Sequence, residues 1–310
     1  MLNRNSVVAV TSRSFSANTE LRNRLLSSFP NSKFNESGKI LSSENLVDFL
    51  TGAEAGIFAL EKIDSAVLSK LPQLKILSKF GVGVDGVDFQ ALKTHNVKFL
   101  HFPGTNSNAV AEIALSNAIS LLRRIPENQR NFSNGEWGQL KGREIHGKTV
   151  GVIGAGPIGK RFLELCSFFD CELRAFDLQQ DEVFNKKFGI KASSLGEVLA
   201  LSDVVSIHLP LTSQTKGMIS ADEISLIKST SVIMNLSRGG ILDEAALIEA
   251  HRKGLLAGFA LDVFDKEPCD LTPFIDLPNV ILTPHIGGST VEAITNMGNA
   301  AITGLTNLLK

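Results

Sequence analysis

Thr149-Val150-Gly151-Val152-Ile153-Gly154-Ala155-Gly156-Pro157-Ile158-Gly159 is the stretch on which the reading of this chain turns. Thr149–Ile153 is a short valine- and isoleucine-rich run of the kind that forms a buried strand. It leads directly into glycines spaced G-x-G-x-x-G. Gly154 permits the tight turn, Gly156 lets the backbone approach a pyrophosphate, and Gly159 lets the following helix pack close to the strand. That helix, predicted over Lys160–Phe169, would present its N-terminal amides to phosphate. A second strand, Glu172–Phe176, ends in Asp177, 18 residues past Gly159. The expected spacing to a ribose-binding acid is about 20 residues. A carboxylate there accepts from both ribose hydroxyls and repels a 2′-phosphate. Leu178 follows where a basic residue would suit NADP, so the expected cofactor is NAD. Gly154, Gly156, Pro157, Ile158, Gly159 and Asp177 are thus the first cofactor-binding candidates. A plain β-α turn with a helix-capping aspartate is the competing reading of the same residues.

Similar runs recur on both sides. Val7–Val10, Gly56–Leu60, Lys75–Phe80 and Val97–Phe102 precede the fingerprint; Val204–Leu209, Val232–Leu236, Ala257–Val263 and Val280–Leu282 follow it. None alternates cleanly between apolar and polar residues, which is the pattern of strands covered on both faces of a parallel sheet. Helix signals lie between them. Ser220 with Glu223, and Ser289 with Glu292, read as capping boxes; Asp243 opens a helix over Glu244–Lys253 that Gly254 closes. Two series of β-α units imply an α/β fold of two doubly wound parallel-sheet domains, one a Rossmann NAD-binding domain and the other flavodoxin-like. A long helix, Asn106–Arg124, separates the series, and a closing helix, Val291–Leu309, returns to the first. The expected division is 1–102 with 287–310 as the substrate (catalytic) domain, and 103–286 as the NAD-binding domain.

Composition narrows the function classes. The chain has 310 residues, 43% hydrophobic and 20% charged, enough for large cores. A net charge of -1 offers no general attraction to nucleic acid or an anionic membrane. Val7–Val10 is shorter than a secretory signal core and no segment is long enough to span a bilayer, so a cytoplasmic address is expected. Cys166, Cys171 and Cys269 form neither a disulfide framework nor a zinc pattern and read as small packing residues. No metal is expected.

Three late segments carry the chemistry: Asn235-Leu236-Ser237-Arg238-Gly239-Gly240, Leu261-Asp262-Val263-Phe264-Asp265-Lys266-Glu267-Pro268, and Thr283-Pro284-His285-Ile286-Gly287-Gly288. Each follows a predicted strand, and in a doubly wound sheet the carboxyl ends of strands line the ligand crevice. Arg238 offers a planar fork to the carboxylate and carbonyl of a 2-keto acid. Reduction develops charge on the ketone oxygen, and His285 can supply the proton there; in the oxidative direction it is the base. Glu267 can hold His285 and favour its charged form. Taken singly, Arg238 also reads as a loop arginine, Glu267-Pro268 as a turn and His285 as a helix-entry residue. Of the remaining histidines, His208 stands at a strand end with no evident acid partner and is expected to pack.

In these segments, and in Gly81-Val82-Gly83-Val84-Asp85 and Asn106-Ser107-Asn108-Ala109-Val110-Ala111-Glu112, the chain resembles the D-isomer-specific 2-hydroxyacid dehydrogenases, most of all their phosphoglycerate-dehydrogenase branch. The matching motifs run from about Lys79 to Gly288. The resemblance implies a catalytic Arg, Glu and His, falling on Arg238, Glu267 and His285. It implies cofactor contacts at Pro157, Ile158, Asp177, Leu209, Leu236, Asp262 and the Gly287 turn, with Asp262 on the nicotinamide carboxamide. It implies that Lys79 and the Gly81, Val82 and Gly83 backbone meet the substrate carboxylate, and that a homodimer forms through the 106–146 region. Side-chain specificity would lie in loops near 56–62 and 79–83 and in partner residues near Trp137.

Two positions depart from the family. Gly86 stands where Asn is usual, which is expected to loosen that turn, and Ala59-Leu60 carries no arginine for a phosphate. The sequence stops at Lys310 after the closing helix, so no regulatory domain is expected. The substrate implied is a small 2-hydroxy or 2-keto acid, either 3-phosphoglycerate with phosphohydroxypyruvate or glyoxylate with hydroxypyruvate. A formate-type dehydrogenase would show Gln at position 267. An NAD-sensing, partner-binding protein of the same fold is the alternative from another class, and the complete Arg238, Glu267 and His285 set speaks against it.

Overall fold

The computed structural model describes residues 2–309 and divides into two compact units. One comprises residues up to Asn106 together with those from Ser289 onward; the other is Ser107–Gly288.

Among the described residues the first unit holds five strands: β1 (Val8–Val10), β2 (Lys33–Phe34), β3 (Ala55–Phe58), β4 (Ile76–Lys79) and β5 (Lys98–Leu100). All pairings are parallel and the order is β2-β1-β3-β4-β5. Both faces are covered, which explains the unalternated runs in the sequence. Leu77 of β4 faces a core with Leu46, Leu50, Val67 and Leu92. Its neighbour Ser78 faces the other way, and its hydroxyl donates to the Ala301 carbonyl at 2.9 Å. Ala301 belongs to the Val291–Thr306 helix, which closes that face.

The Ser107–Gly288 unit holds seven strands: β6 (Thr149–Ile153), β7 (Glu172–Phe176), β8 (Lys191–Ala192), β9 (Val204–Ile207), β10 (Val232–Asn235), β11 (Gly258–Leu261) and β12 (Val280–Leu282). Their order is β12-β11-β10-β9-β6-β7-β8, again all parallel. The order reverses between β6 and β9, so the crevice at the carboxyl end of β6 is the topological switch point where ligands bind in such sheets. Successive residues of β10 feed two cores. Val232 and Met234 pack with Phe162, Leu163 and the Ser107–Leu122 helix. Ile233 packs with Val198, Leu247 and Phe259.

The local signals resolve in detail. Ser220 and Glu223 form the capping box read from the sequence, and Asp243 caps Glu244–Arg252. The second predicted box is corrected: Thr290, not Ser289, caps the last helix, its hydroxyl accepting from the Ala293 amide at 3.0 Å. Adjacent hydroxyl residues gave the sequence two candidate caps, and only the backbone path selects one. The long helix ends at Leu122 rather than Arg124, because Arg124 turns left-handed at φ +52°. The two-residue strands β2 and β8 were not foreseen, being too short to show a period. The cysteines pack as expected, Cys166 buried and the other two half-buried, all with free thiols. Among the described residues no helix is long and apolar enough to cross a membrane and no cluster could hold a metal ion.

Candidate active site

The glycine turn after β6 has the shape of a diphosphate cradle. Gly154 adopts φ +99°, a conformation open to glycine at little cost. Gly159 lies so close to the Gly154 carbonyl that any Cβ would overlap it. Gly156 faces open space instead. It starts the Pro157–Ser167 helix with no side chain capping the first amides, and Pro157 fills the first helical position. These amides are left for an anionic ligand. Asp177, at the end of β7, binds the same turn: one oxygen accepts from the Ala155 amide at 2.7 Å and the other from the Gln179 amide at 2.8 Å. Leu178 beside it is 89% exposed and brings no positive charge. The open Gly156 and the uncapped helix start fit a dinucleotide, and the carboxylate at Asp177 fits an unphosphorylated ribose.

Other predicted cofactor residues surround this turn or lie behind it. Ile158 and Leu209 are half-buried, and Leu209 abuts Gly154. Leu236 is buried in the core, so only its backbone is available to a ligand. His208 packs against Phe162 with ring centroids 5.9 Å apart, and its Nε2 lies 2.8 Å from the Ser206 hydroxyl. Burial holds its pKa down at about 3, so it stays neutral and takes no part as an acid.

The predicted acid and base residues meet after β11 and β12. His285 Nδ1 lies 2.9 Å from Glu267 Oε2. A carboxylate only accepts, so Nδ1 carries the proton and Nε2 is the atom directed to other chemistry. Glu267 is anchored in turn, its Oε1 accepting from the Phe264 amide at 3.2 Å. His285 has φ +54°, an uncommon conformation for a non-glycine residue that clusters at functional sites.

Asp262 holds that conformation in place. It is 2% exposed, and its carboxylate accepts from the Thr283 hydroxyl at 2.6 Å and from the Ile286 and Gly287 amides at 2.8 Å each. Sequence reasoning assigned Asp262 to the nicotinamide alone; in the structure it is the support of the His285 turn. Thr283 was missed altogether, since nothing local to it signals a partner 21 residues away.

Arg238 leaves the end of β10, the strand next to β11. Its Nη1 donates to the Ser237 carbonyl at 2.6 Å, and its own carbonyl accepts from Asn235 Nδ2 at 2.8 Å. The following Gly240 amide donates to Asp265 Oδ1 at 2.6 Å, tying this loop to the one that bears Glu267.

The predicted substrate residues of the first unit use mainly backbone. Lys79 is buried, its ammonium donating to the Ala59 carbonyl and, at 3.3 Å, to that of Phe80. Gly81 has φ +110°, and the Val82 carbonyl contacts His101 Nε2 at 2.9 Å. Gly83 completes the turn, partly exposed. Gly86 is not loose: a Cβ there would meet the Glu61 carbonyl at 3.2 Å, so the glycine lets two loops approach.

Comparison with known proteins places this arrangement in context. Residues 115–287 match the family model for the D-isomer specific 2-hydroxyacid dehydrogenase NAD binding domain. A D-3-phosphoglycerate dehydrogenase of Archaeoglobus fulgidus is 35% identical over 274 residues, 87% of this chain but 52% of the relative. The chain thus spans about half the length of that relative. A glyoxylate reductase of Thermofilum pendens is 34% identical over 258 residues, 81% of this chain and 76% of its own. Among solved structures, D-lactate dehydrogenase from Aquifex aeolicus complexed with NAD and lactic acid superposes with TM-score 0.83 at 26% identity, covering 97% of this chain and 94% of the other. The family model takes in the glycine turn, Asp177, Arg238, Glu267 and His285 together, and the Thermofilum relative extends the likeness over most of both chains: this protein belongs to the D-isomer specific 2-hydroxyacid dehydrogenase family, with an NAD-binding domain.

Proposed function

We propose that the chain is an oxidoreductase that moves a hydride between nicotinamide and C2 of a small D-2-hydroxy or 2-keto acid. The observation that carries the reading is the 2.9 Å Glu267–His285 hydrogen bond, formed beside a strand whose end bears Arg238. Bound NAD supplies the hydride acceptor, and NADH the donor. Arg238 binds the substrate carboxylate through its planar fork. In reduction, His285 gives the Nε2 proton to the oxygen on C2; in oxidation it takes that proton from the hydroxyl. Glu267 fixes the ring orientation and stabilises the imidazolium through Nδ1. Asp177 binds the adenine-side ribose and disfavours a 2′-phosphate.

In this reading Ser107–Gly288 is the NAD-binding domain and the other unit the substrate domain, where Lys79 and the Gly81–Gly83 backbone receive the acid. The protein works as a homodimer in the cytoplasm. Trp137 is 84% and Phe132 63% exposed, their rings 5.8 Å apart, and the Ile125–Ser133 helix buries no residue of its own. An apolar pair presented this way suits a partner subunit. Three unpaired cysteines suit a reducing compartment.

The test is NADH oxidation with glyoxylate, hydroxypyruvate, pyruvate, 2-oxoglutarate and phosphohydroxypyruvate, alongside NADH binding. Turnover of at least one acid that is lost in His285→Gln supports the reading. Tight NADH binding with no turnover of any of them overturns it in favour of an NAD-sensing role.

A further inference from the structure

We infer that Asp265 and Glu244 are positioning residues that clasp the Arg238 loop to the Glu267 loop, so that the carboxylate-binding fork and the acid–base pair are set by one chain of hydrogen bonds. The inference rests on the function proposed above and adds two side chains that act through their neighbours.

The chain can be followed bond by bond. Asp265 Oδ1 accepts from the Gly240 amide at 2.6 Å, two residues after Arg238. Gly240 has φ +76° and closes the turn that Arg238 begins. Between them Gly239 lies against the Phe264 carbonyl so closely that any Cβ would overlap it. The two loops therefore touch through backbone, and a shift in one displaces the other. The Asp265 amide in turn donates to Glu244 Oε1 at 2.6 Å. Glu244 is the first residue of the Glu244–Arg252 helix, which gives the clasp a fixed base. The adjacent Phe264 amide donates to Glu267 Oε1, and Glu267 Oε2 receives His285.

The clasp is placed to affect geometry more than stability. Asp265 is exposed and Glu244 half-buried, so removing either carboxylate opens no core. Burial raises the Glu244 carboxyl above the ordinary glutamate range, with Asp265 and Asp243 adding to the effect. A glutamine there keeps an oxygen that can accept from the Asp265 amide, so the clasp predicts that Glu244→Gln is tolerated. What the arrangement needs is two acceptor oxygens, and small displacements of reacting groups are costly in rate.

The experiment measures kcat and KM for the acid of the panel with the highest kcat/KM, with NADH affinity and melting temperature on the same proteins. Asp265→Ala is expected to raise KM for the acid about tenfold and lower kcat several-fold, at unchanged NADH affinity. Asp265→Asn keeps an acceptor for the Gly240 amide and should stay within about twofold of wild type. Glu244→Gln should do the same, and Glu244→Ala should follow Asp265→Ala. Arg238→Lys should cost at least about threefold less in the Asp265→Ala background than in wild type, because coupled residues are not additive. Wild-type KM and kcat in Asp265→Ala, with Arg238→Lys still impaired, overturn the clasp and leave the proposed function intact. Fully multiplicative effects, or an Asp265→Asn as poor as Asp265→Ala, overturn it too. If Asp265→Ala does not fold, Glu244→Ala and Asp265→Asn carry the same comparison. A wild-type enzyme that binds NADH and turns over none of the acids overturns the function itself.

Discussion

The two sheet units present their candidate functional groups in different currencies. In Ser107–Gly288 the candidates are side chains that follow strand ends: Asp177 after β7, Arg238 after β10, Asp262 and Glu267 after β11, His285 after β12. Several are held by bonds to residues far away in sequence: Asp177 accepts from the Ala155 amide, Glu267 meets His285, and Asp262 holds Thr283, Ile286 and Gly287. In the other unit the corresponding loop offers the Gly81–Gly83 backbone, a carbonyl tied to His101, and a lysine turned inward onto carbonyls. A side chain with one chemistry announces itself in a sequence. A backbone amide looks the same in every residue, so the Gly81–Gly83 turn could be named from the family resemblance but not from its own chemistry.

Substitutions sharpen that contrast. The largest effect is expected at His285. His285→Gln removes proton transfer, a loss of roughly 100- to 10,000-fold in turnover, while NADH affinity and melting temperature stay near wild type. In the wild-type enzyme kcat/KM for reduction should fall as pH rises, because reduction needs a proton donor at His285; oxidation, which needs a base there, should rise. Profiles that bend the same way in both directions would exclude His285 as the shared acid and base. If it serves only as a helix-entry residue, His285→Gln would lower the melting temperature and leave turnover alone.

Arg238→Lys comes next. It keeps the charge and loses the fork, and is expected to cost about 2–4 kcal/mol in kcat/KM if two charge-assisted hydrogen bonds are lost. A lysine variant with wild-type kcat/KM would show that a point charge suffices.

A smaller change is expected at Asp177. Asp177→Ala should shift the NAD to NADP ratio of kcat/KM toward NADP by roughly tenfold, equivalent to about one charged hydrogen bond and the lost repulsion. An unmoved ratio would take Asp177 out of cofactor choice and leave it as the anchor of the Ala155 amide.

The smallest of the four lies in the other unit and tests whether backbone geometry alone matters there. Gly81→Ala at φ +110° should lower stability by about 1 kcal/mol. It should also raise KM for the acid with little change in NADH affinity. A change in stability without one in KM would remove the Gly81–Gly83 turn from substrate binding.

The sequence by itself determined what depends on near neighbours. Strands β6, β9 and β10 were legible because residues buried on both faces leave nearly unbroken apolar runs, and the glycine turn because its spacing is a local steric requirement. The Ser220–Glu223 capping box spans three residues and could be read directly. Arg238, Glu267 and His285 could be chosen as candidates from residue type and position after a strand. Only the tertiary structure decided which of them meet. The Glu267–His285 bond spans 18 residues, the Gly240–Asp265 bond 25, and the Asp262 grip on Gly287 another 25. Such pairs exist because β10, β11 and β12 lie side by side, and strand order is fixed by burial of the whole sheet rather than by any segment of it. The same cause hid β2 and β8: two residues carry no period, and they become strands only because a longer neighbour offers them a hydrogen-bonding edge.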